Sequence, residues 1–198
     1  MTAVPNHTST ALVSLHVGDR PGTWAAVGFE VADGSVTIGR VRIRLHGDDG
    51  PRGLLRWDLR GDTGHTHRQA GVTDLDGLST GWVTEDATPG SAPVHPNGVR
   101  SIDHLVIASS DVDRTIEALA GAGLELRREG LGTSYGEPMR QVFFWAGDVI
   151  VELVGPTEAP ASPQAPEPAR FFGLAFTSED LEATAAALPG DVRTPKPA

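Results

Sequence analysis

The sequence predicts an α+β fold, built from repeated βαβββ modules that form cupped mixed sheets. Three observations predict it. Apolar segments of strand length alternate with three short helical segments, two of which begin at an N-cap residue. Glycine and proline are abundant, 24 and 15 of 198 residues, which indicates many turns between short elements. Several segments also repeat one another in the same order and spacing, as expected for a duplicated unit.

Composition excludes several classes of protein. Hydrophobic residues make up 39% and charged residues 21% of the chain, and no apolar run approaches the roughly 20 residues of a membrane span. The net charge of -10 argues against binding to nucleic-acid phosphates. The chain has no cysteine, which excludes disulfides and thiolate chemistry and favours a reducing compartment. We therefore expect a cytoplasmic protein with a small-molecule ligand, and neither nucleic acid nor membrane as a partner.

The first repeat, a degenerate βαβββ module, is predicted over residues 11–61, after a polar tail at residues 1–10. Leu12–Val17 is a short apolar stretch of strand type. Arg20–Val27 predicts a short helix, because its proline fits a first turn. Three strand-like segments follow, at residues 28–32, 35–45 and 53–59.

Two segments are predicted to be linkers. Residues 62–98 are dominated by turn-forming residues and show no sustained periodicity, apart from a small strand around Gly81–Val83. Residues 157–169 are rich in proline and alanine, which is typical of an extended connection.

The clearest βαβββ module is predicted over residues 99–156. Ile102–Ser109 is the first strand, and Asp111 is positioned to cap a helix over Val112–Ala120. The three further strands are expected at Leu124–Arg127, Met139–Ala146 and Val149–Val154.

A further module begins at residues 170–198. Arg170–Thr177 predicts a strand, and Ser178 is expected to cap a helix that runs to Leu188. The sequence stops where further strands would be due. Three alternatives stay open: a fragment of a longer protein, a working pair of the first two modules on which the last strand and helix dock, or a homodimer formed through sheet edges.

Alignment of the repeats equates particular residues. Gly18-Asp19, at the end of the first strand, matches Ser110-Asp111 in the second repeat. Asp58–Gly61 matches Glu152–Gly155, so the two acidic residues that open these segments are predicted to be equivalent. Chance similarity between short strands is the alternative.

His104 and Glu152 are the main candidates for chemistry. Strand alternation places His104 on one face of the first strand of the module. It places Glu152 on one face of the fourth strand, together with Ile150 and Val154. We expect both of these faces to form the cupped side of the sheet. A carboxylate among apolar neighbours is costly to desolvate unless it is paired or binds a metal. Imidazole and carboxylate suit a divalent ion such as Zn, Ni, Mn or Fe. A structural hydrogen bond between the two is the alternative.

The segment Ile102–Pro156 resembles a module of the vicinal oxygen chelate superfamily, which includes glyoxalase I, extradiol dioxygenases, methylmalonyl-CoA epimerase and bleomycin- or fosfomycin-resistance proteins. The resemblance rests on Asp103–Ile107, on the helix start at Asp111 and on Asp148–Leu153. It implies that two modules pair so that their curved sheets enclose a pocket. It does not specify the reaction, because one scaffold hosts many chemistries.

The resemblance also implies site residues. His104 and Glu152 stand at the positions of the first-strand and fourth-strand metal ligands of glyoxalase I. The position that matches His104 in the third repeat is Gly173, so a histidine expected there is missing, and the last ligand of the family would fall beyond Ala198. Asp58 is a further candidate ligand, if the first two modules pair around one pocket.

Two functions stay open at this stage. The first is a glyoxalase-like lyase or isomerase, in which a divalent metal acts as a Lewis acid and Glu152 handles a proton as the catalytic residue. The second is a metal-free protein of the bleomycin-resistance type that binds or sequesters a small, partly aromatic ligand. The aromatic residues concentrated in the second and third repeats suit a pocket for such a ligand. A purely structural partner module is the remaining alternative.

Overall fold

The computed structural model of the protein describes residues 10–61, 71–83, 92–134, 137–158 and 167–188. These residues form two mixed β-sheets and three short helices, which confirms the predicted α+β class. None of the helices in this part of the chain is long and apolar enough to cross a membrane. The predicted tail up to residue 9 and residues 159–166 of the predicted second linker lie outside the described residues.

Sheet A contains the first six strands. Its elements are β1 (Ala11–Gly18), α1 (Pro21–Ala26), β2 (Ser35–Ile38), β3 (Val41–Leu45), β4 (Gly53–Arg60), β5 (Gly71–Leu75) and β6 (Leu78–Trp82). The strand order is β2-β3-β1-β4-β6-β5. β1 pairs in parallel with β3 and antiparallel with β4, and β4 pairs in parallel with β6. Sheet A therefore consists of two similar units, each a strand followed by a hairpin, joined along β1 and β4.

Sheet B contains the remaining five described strands. Its elements are β7 (Val99–Ala108), α2 (Val112–Gly121), β8 (Glu125–Ser134), β9 (Glu137–Ala146), β10 (Val149–Gly155), β11 (Arg170–Ser178) and α3 (Leu181–Ala187). The order is β11-β7-β10-β9-β8, with β7 parallel to β10 and antiparallel to β11. The stretch from β7 to β10 is thus the predicted βαβββ unit. Asp111 caps α2 as predicted, because its side chain accepts a 3.1 Å hydrogen bond from the backbone N–H of Arg114.

One apolar core lies between the two sheets. Trp57 of β4 is fully buried, and its ring contacts Phe171 of β11 with the centroids 5.6 Å apart. Leu105 of β7 is also fully buried. Successive side chains of a strand point to opposite faces. Asp58, next to Trp57, and His104, next to Leu105, therefore point outward, away from this core. Each sheet therefore presents an outward face on its own side of the molecule.

Two predicted strands of the first repeat differ from the structure. The strand expected at residues 35–45 is two strands, β2 and β3, because the chain turns at Gly39, whose φ of +57° is a left-handed conformation. The strand expected at residues 28–32 is absent among the described elements. Gly28 there has φ +81°, and Ala32 forms only an isolated bridge to Ser35.

The prediction that residues 62–98 form a linker is wrong for residues 71–82. These residues form β5 and β6, an antiparallel hairpin that completes the edge of sheet A. The turn is Asp76-Gly77, with φ values of +54° and +92°. Positive φ at both central residues fits the right-handed twist of the two strands. Gly81, at the start of the small predicted strand, lies within β6.

The predicted cap of the last helix is also wrong. Ser178 is the last residue of β11, and α3 begins at Leu181 after Asp180. The Asp180 side chain accepts a 2.9 Å hydrogen bond from the backbone N–H of Ala183, so this carboxylate caps the helix.

The predicted equivalence of Asp58 and Glu152 is wrong as well. Glu152 lies on β10, which is parallel to β7, whereas Asp58 lies on β4, which is antiparallel to β1. The strand that matches β4 in sheet B is therefore β11. Ser14 of β1 and Val106 of β7 are equivalent in the two sheets. Asp58 pairs with Ser14, and Gly173 pairs with Val106, so Asp58 occupies in sheet A the position that Gly173 occupies in sheet B.

Candidate functional site

The outward face of sheet B brings the two predicted site residues together. In the parallel ladder of β7 and β10, His104 pairs with Ile150, and Glu152 pairs with Val106. His104 Nε2 lies 3.3 Å from Glu152 Oε2, and the two side chains are 29% and 13% exposed. The predicted convergence of an imidazole and a carboxylate on one face is thus present in the structure.

Two further side chains hold this pair. His104 Nδ1 lies 2.7 Å from Asp103 Oδ2, and Gln141 Nε2 donates a 2.9 Å hydrogen bond to Glu152 Oε1. The imidazole is therefore flanked by two carboxylates. A neutral imidazole has one N–H and can donate to only one of them, whereas an imidazolium donates to both. Neither carboxylate depends on the imidazole alone, because Glu152 also accepts from Gln141 and the Asp103 side chain is 49% exposed to water.

The described residues supply only part of the ligand set of a catalytic metal site. Catalytic zinc and non-haem iron sites use three protein ligands. Within residues 10–61, 71–83, 92–134, 137–158 and 167–188, no group of three or more His, Cys, Asp or Glu side chains is placed to hold a metal ion. His104 and Glu152 supply two donors. At Gly173, where the third was expected, a Cβ would meet nothing within 4 Å, so there is space but no donor.

An aromatic hollow borders the His104–Glu152 pair. It has a volume of about 330 Å³ and is lined by Arg127, Arg128, Phe143, Phe144, Trp145 and Ile150. Ile150 pairs across strands with His104, and Phe143 pairs with Glu152, so the hollow and the pair share one face. The Arg128 guanidinium lies 4.7 Å from the centroid of the Phe143 ring. This face can therefore take a flat apolar group beside polar groups of both charges.

The structure places Asp58 in a different site, on the outward face of sheet A. Its Oδ2 accepts hydrogen bonds from Ser14 Oγ at 2.6 Å and from His16 Nε2 at 2.9 Å, and its Oδ1 accepts one from Arg56 Nε at 2.9 Å. Burial raises the pKa of Asp58, but the hydrogen bonds from His16, Ser14 and Arg56 outweigh it and hold the pKa well below its usual range. Asp58 therefore does not join the His104 pocket, contrary to the expectation from the sequence.

Two residues of the sheet B site have no counterpart in the sequence prediction. Gln141 shares a strand face with Phe143, so strand alternation alone is the signal that indicates it. Asp103 directly precedes His104, and nothing in its spacing marks it as a partner of the imidazole ring.

Comparisons with known proteins give the fold. No family model matches the sequence, and no curated protein matches it. A mutant of 4-hydroxymandelate synthase from Streptomyces coelicolor is similar in structure, with a TM-score of 0.58 and 11% identity, over 91% of this chain and 74% of that one. A mutant of homoprotocatechuate 2,3-dioxygenase from Brevibacterium fuscum has a TM-score of 0.55 and 14% identity, over 93% of this chain. The chain has the vicinal oxygen chelate fold.

The same comparisons also give the extent of the similarity. This chain spans 60% of the length of the dioxygenase. It spans 39% of a fusion of a xylose isomerase-like TIM barrel with 4-hydroxyphenylpyruvate dioxygenase, at a TM-score of 0.56 and 14% identity. At these identities the likeness carries the fold alone, because one scaffold hosts many activities.

Proposed function

We propose that the chain binds a small aromatic acid on the outward face of sheet B. The observation that carries the proposal is the aromatic hollow of about 330 Å³ beside the His104–Glu152 pair. An aromatic ring would lie against Phe143, Trp145 and Ile150, where it removes apolar surface from water. This is the metal-free, small-molecule-binding function that the sequence left open.

Polar groups at the rim support an acid rather than a neutral ligand. Arg128 is exposed and already lies over an aromatic ring, and its planar guanidinium suits a carboxylate. At the other end, His104 and Glu152 offer a donor and an acceptor to a ring hydroxyl. Two of the similar structures are named for 4-hydroxymandelate and homoprotocatechuate, which supports a small organic ligand of this kind.

The test is a titration with 4-hydroxyphenylacetate, in which binding is measured from the NMR chemical shifts of the backbone amides. We expect saturable binding with shifts concentrated on β9 and β10, and a loss of about tenfold in affinity in Arg128→Gln, since one charge-assisted contact is worth about 1.4 kcal/mol. Arg100→Gln is the matched control, because this guanidinium is on β7 and pairs with Glu179. Equal affinity in both variants, or no saturable binding, would overturn the proposal.

A metal-dependent lyase or isomerase is the second candidate. The observation that favours it is the orientation of His104, whose Nδ1 faces Asp103 while Nε2 faces Glu152, as in histidines whose second ring nitrogen binds a metal. Elemental analysis after incubation with Zn, Ni, Mn or Fe tests it. Stoichiometric metal that is lost in a His104→Ala, Glu152→Gln double variant would support this function, and its absence from the wild type would refute it.

A further inference from the structure

A chain of hydrogen bonds runs along the outward face of sheet A. His16 Nε2 lies 2.9 Å from Asp58 Oδ2, and His16 Nδ1 lies 2.8 Å from His46 Nε2. The two imidazole rings are nearly parallel, with an interplanar angle of 11°. The chain begins at a buried carboxylate and ends at the exposed ring of His46.

The buried end of this chain is fixed in place. Ser14 of the neighbouring strand β1 and Arg56 of β4 itself both donate hydrogen bonds to the carboxylate of Asp58. Gly81 of β6 pairs with Asp58, and a Cβ at Gly81 would overlap Asp58 Oδ1. When His16 donates Nε2–H to Asp58, its Nδ1 accepts from His46 Nε2–H. His46 Nδ1 then carries the lone pair, so a proton added there is shared along the chain.

The exposed end of the chain opens into a hollow of about 490 Å³. Arg42 and Arg44 of β3 line it, together with Ser35 and Thr37 of β2. Neither guanidinium has an ion pair or a side-chain hydrogen bond to any residue that the structure describes, whereas Arg56 is paired with Asp58. Two cations with no acidic partner in the described chain, on one strand face and beside hydroxyl groups, are what an anion-binding site requires.

The charge around His46 favours a bound anion. Burial lowers the pKa of His46, and repulsion from His16 and from the positive charges of Arg56 and Arg44 lowers it further. His46 is therefore neutral near pH 7. An anion between Arg42 and Arg44 would oppose these positive charges, so its binding would be accompanied by proton uptake on His46.

We propose that the outward face of sheet A is a second ligand site, which takes a small phosphate-bearing molecule. Arg42 and Arg44 bind the phosphate oxygens, and His46, whose Nε2 is hydrogen-bonded to His16, takes up a proton from solvent at Nδ1 and donates a hydrogen bond from it to the anion. The other charged groups around His46 are Arg56 and Asp58, which neutralise each other, and Asp33 at the edge of the hollow. The site is independent of the aromatic hollow on sheet B.

Calorimetric titration with inorganic phosphate near pH 7 tests the two arginines. We expect saturable binding in the wild type and a loss of about tenfold or more in Arg42→Gln and in Arg44→Gln. Arg40→Gln is the matched control, because Arg40 lies in the turn between the same two strands and is not part of this hollow. Equal binding by all four proteins, or no saturable binding, would overturn the proposal.

A second titration tests His46 with sulfate, whose charge is constant across the working pH range. The wild type should bind sulfate more tightly as the pH falls, with a heat that depends on the ionisation enthalpy of the buffer. His46→Gln should bind with little change of affinity between about pH 8 and pH 6 and release no such heat. A pH dependence that persists unchanged in His46→Gln would show that His46 is not the group that takes up the proton.

Discussion

Replacement of Asp58 by asparagine tests the electrostatics of sheet A. The Asp58 side chain is 7% exposed and accepts hydrogen bonds from Ser14, His16 and Arg56. Asparagine keeps one acceptor oxygen and presents an NH₂ group to these donors, so at least one donor loses its partner. Removal of one member of a buried ion pair costs about 3–5 kcal/mol, and because the Arg56 side chain is 33% exposed, we expect roughly 2–3 kcal/mol.

The loss should depend on pH in a defined direction. The pKa of Asp58 is held well below its ordinary value of 3.8, so its contribution to stability is fully present above that value and is lost as the pH falls. The difference between wild type and Asp58→Asn should therefore still be present at pH 5. Below 3.8 it should shrink by up to about 1.4 kcal/mol per pH unit.

Urea unfolding followed by circular dichroism measures this difference, with stabilities determined near pH 7, 5 and 3. Asp49→Asn is the control, because Asp49 is exposed and forms no hydrogen bond to the described residues, and it should change stability by less than about 0.5 kcal/mol. The reasoning fails if Asp58→Asn is no less stable than this control, or if its deficit is larger at pH 3 than at pH 5.

Three further substitutions test local geometry. Gly81→Ala should cost about 2 kcal/mol in urea unfolding, because the new methyl group overlaps Asp58; Gly50→Ala, in open space, should not. Asp111→Ala should cost about 1 kcal/mol in the same assay, since it removes the cap of α2, and an unchanged stability would contradict that role. Gly173→His places a third donor on the face of the imidazole–carboxylate pair, so equilibrium dialysis should show tighter zinc binding than in the wild type.

The elements of sheet B could be predicted because their signals are local. β7 and β10 are apolar segments of strand length, and α2 begins directly after a carboxylate that binds its first turn. Alternation along the two strands was enough to place His104 and Glu152 on one face. Their separation of 3.3 Å depends on the parallel register of the two strands, which nothing in either segment specifies.

The elements of sheet A were harder to predict, because its strands are polar or interrupted by turns. β5 and β6 carry threonine, serine and aspartate at positions where an apolar pattern was required. The Asp76-Gly77 pair between them is nevertheless a strong hairpin signal, and it would have indicated both strands. The local sequence of β4 does not show whether this strand is the equivalent of β10 or of β11. That choice depends on how the whole sheet packs.

The second site could not be predicted for a related reason. His16 and His46 are separated by 30 residues, and the parallel pairing of β1 with β3 brings them into contact. His46 follows the last residue of its strand, so the alternation that placed His104 gives no face for it. In sequence terms it resembles any histidine in a loop. Its proposed role depends on His16 and on the hollow lined by Arg42 and Arg44, which only the folded sheet brings beside it.

One corresponding position of the two sheets carries opposite charges. In sheet A the row across the strands is Arg42, Ser14 and Asp58, and in sheet B the matching row is Glu152, Val106 and Gly173. The position that is a cation in one sheet is a carboxylate in the other, although the backbone pairing is the same. An anion that lies against Arg42 on sheet A would meet the carboxylate of Glu152 at the matching position of sheet B, which repels it. The acid proposed for sheet B therefore places its carboxylate at Arg128 of β8, away from this position. The duplicated fold therefore offers two comparable faces, and their side chains explain why the ligands proposed for them differ.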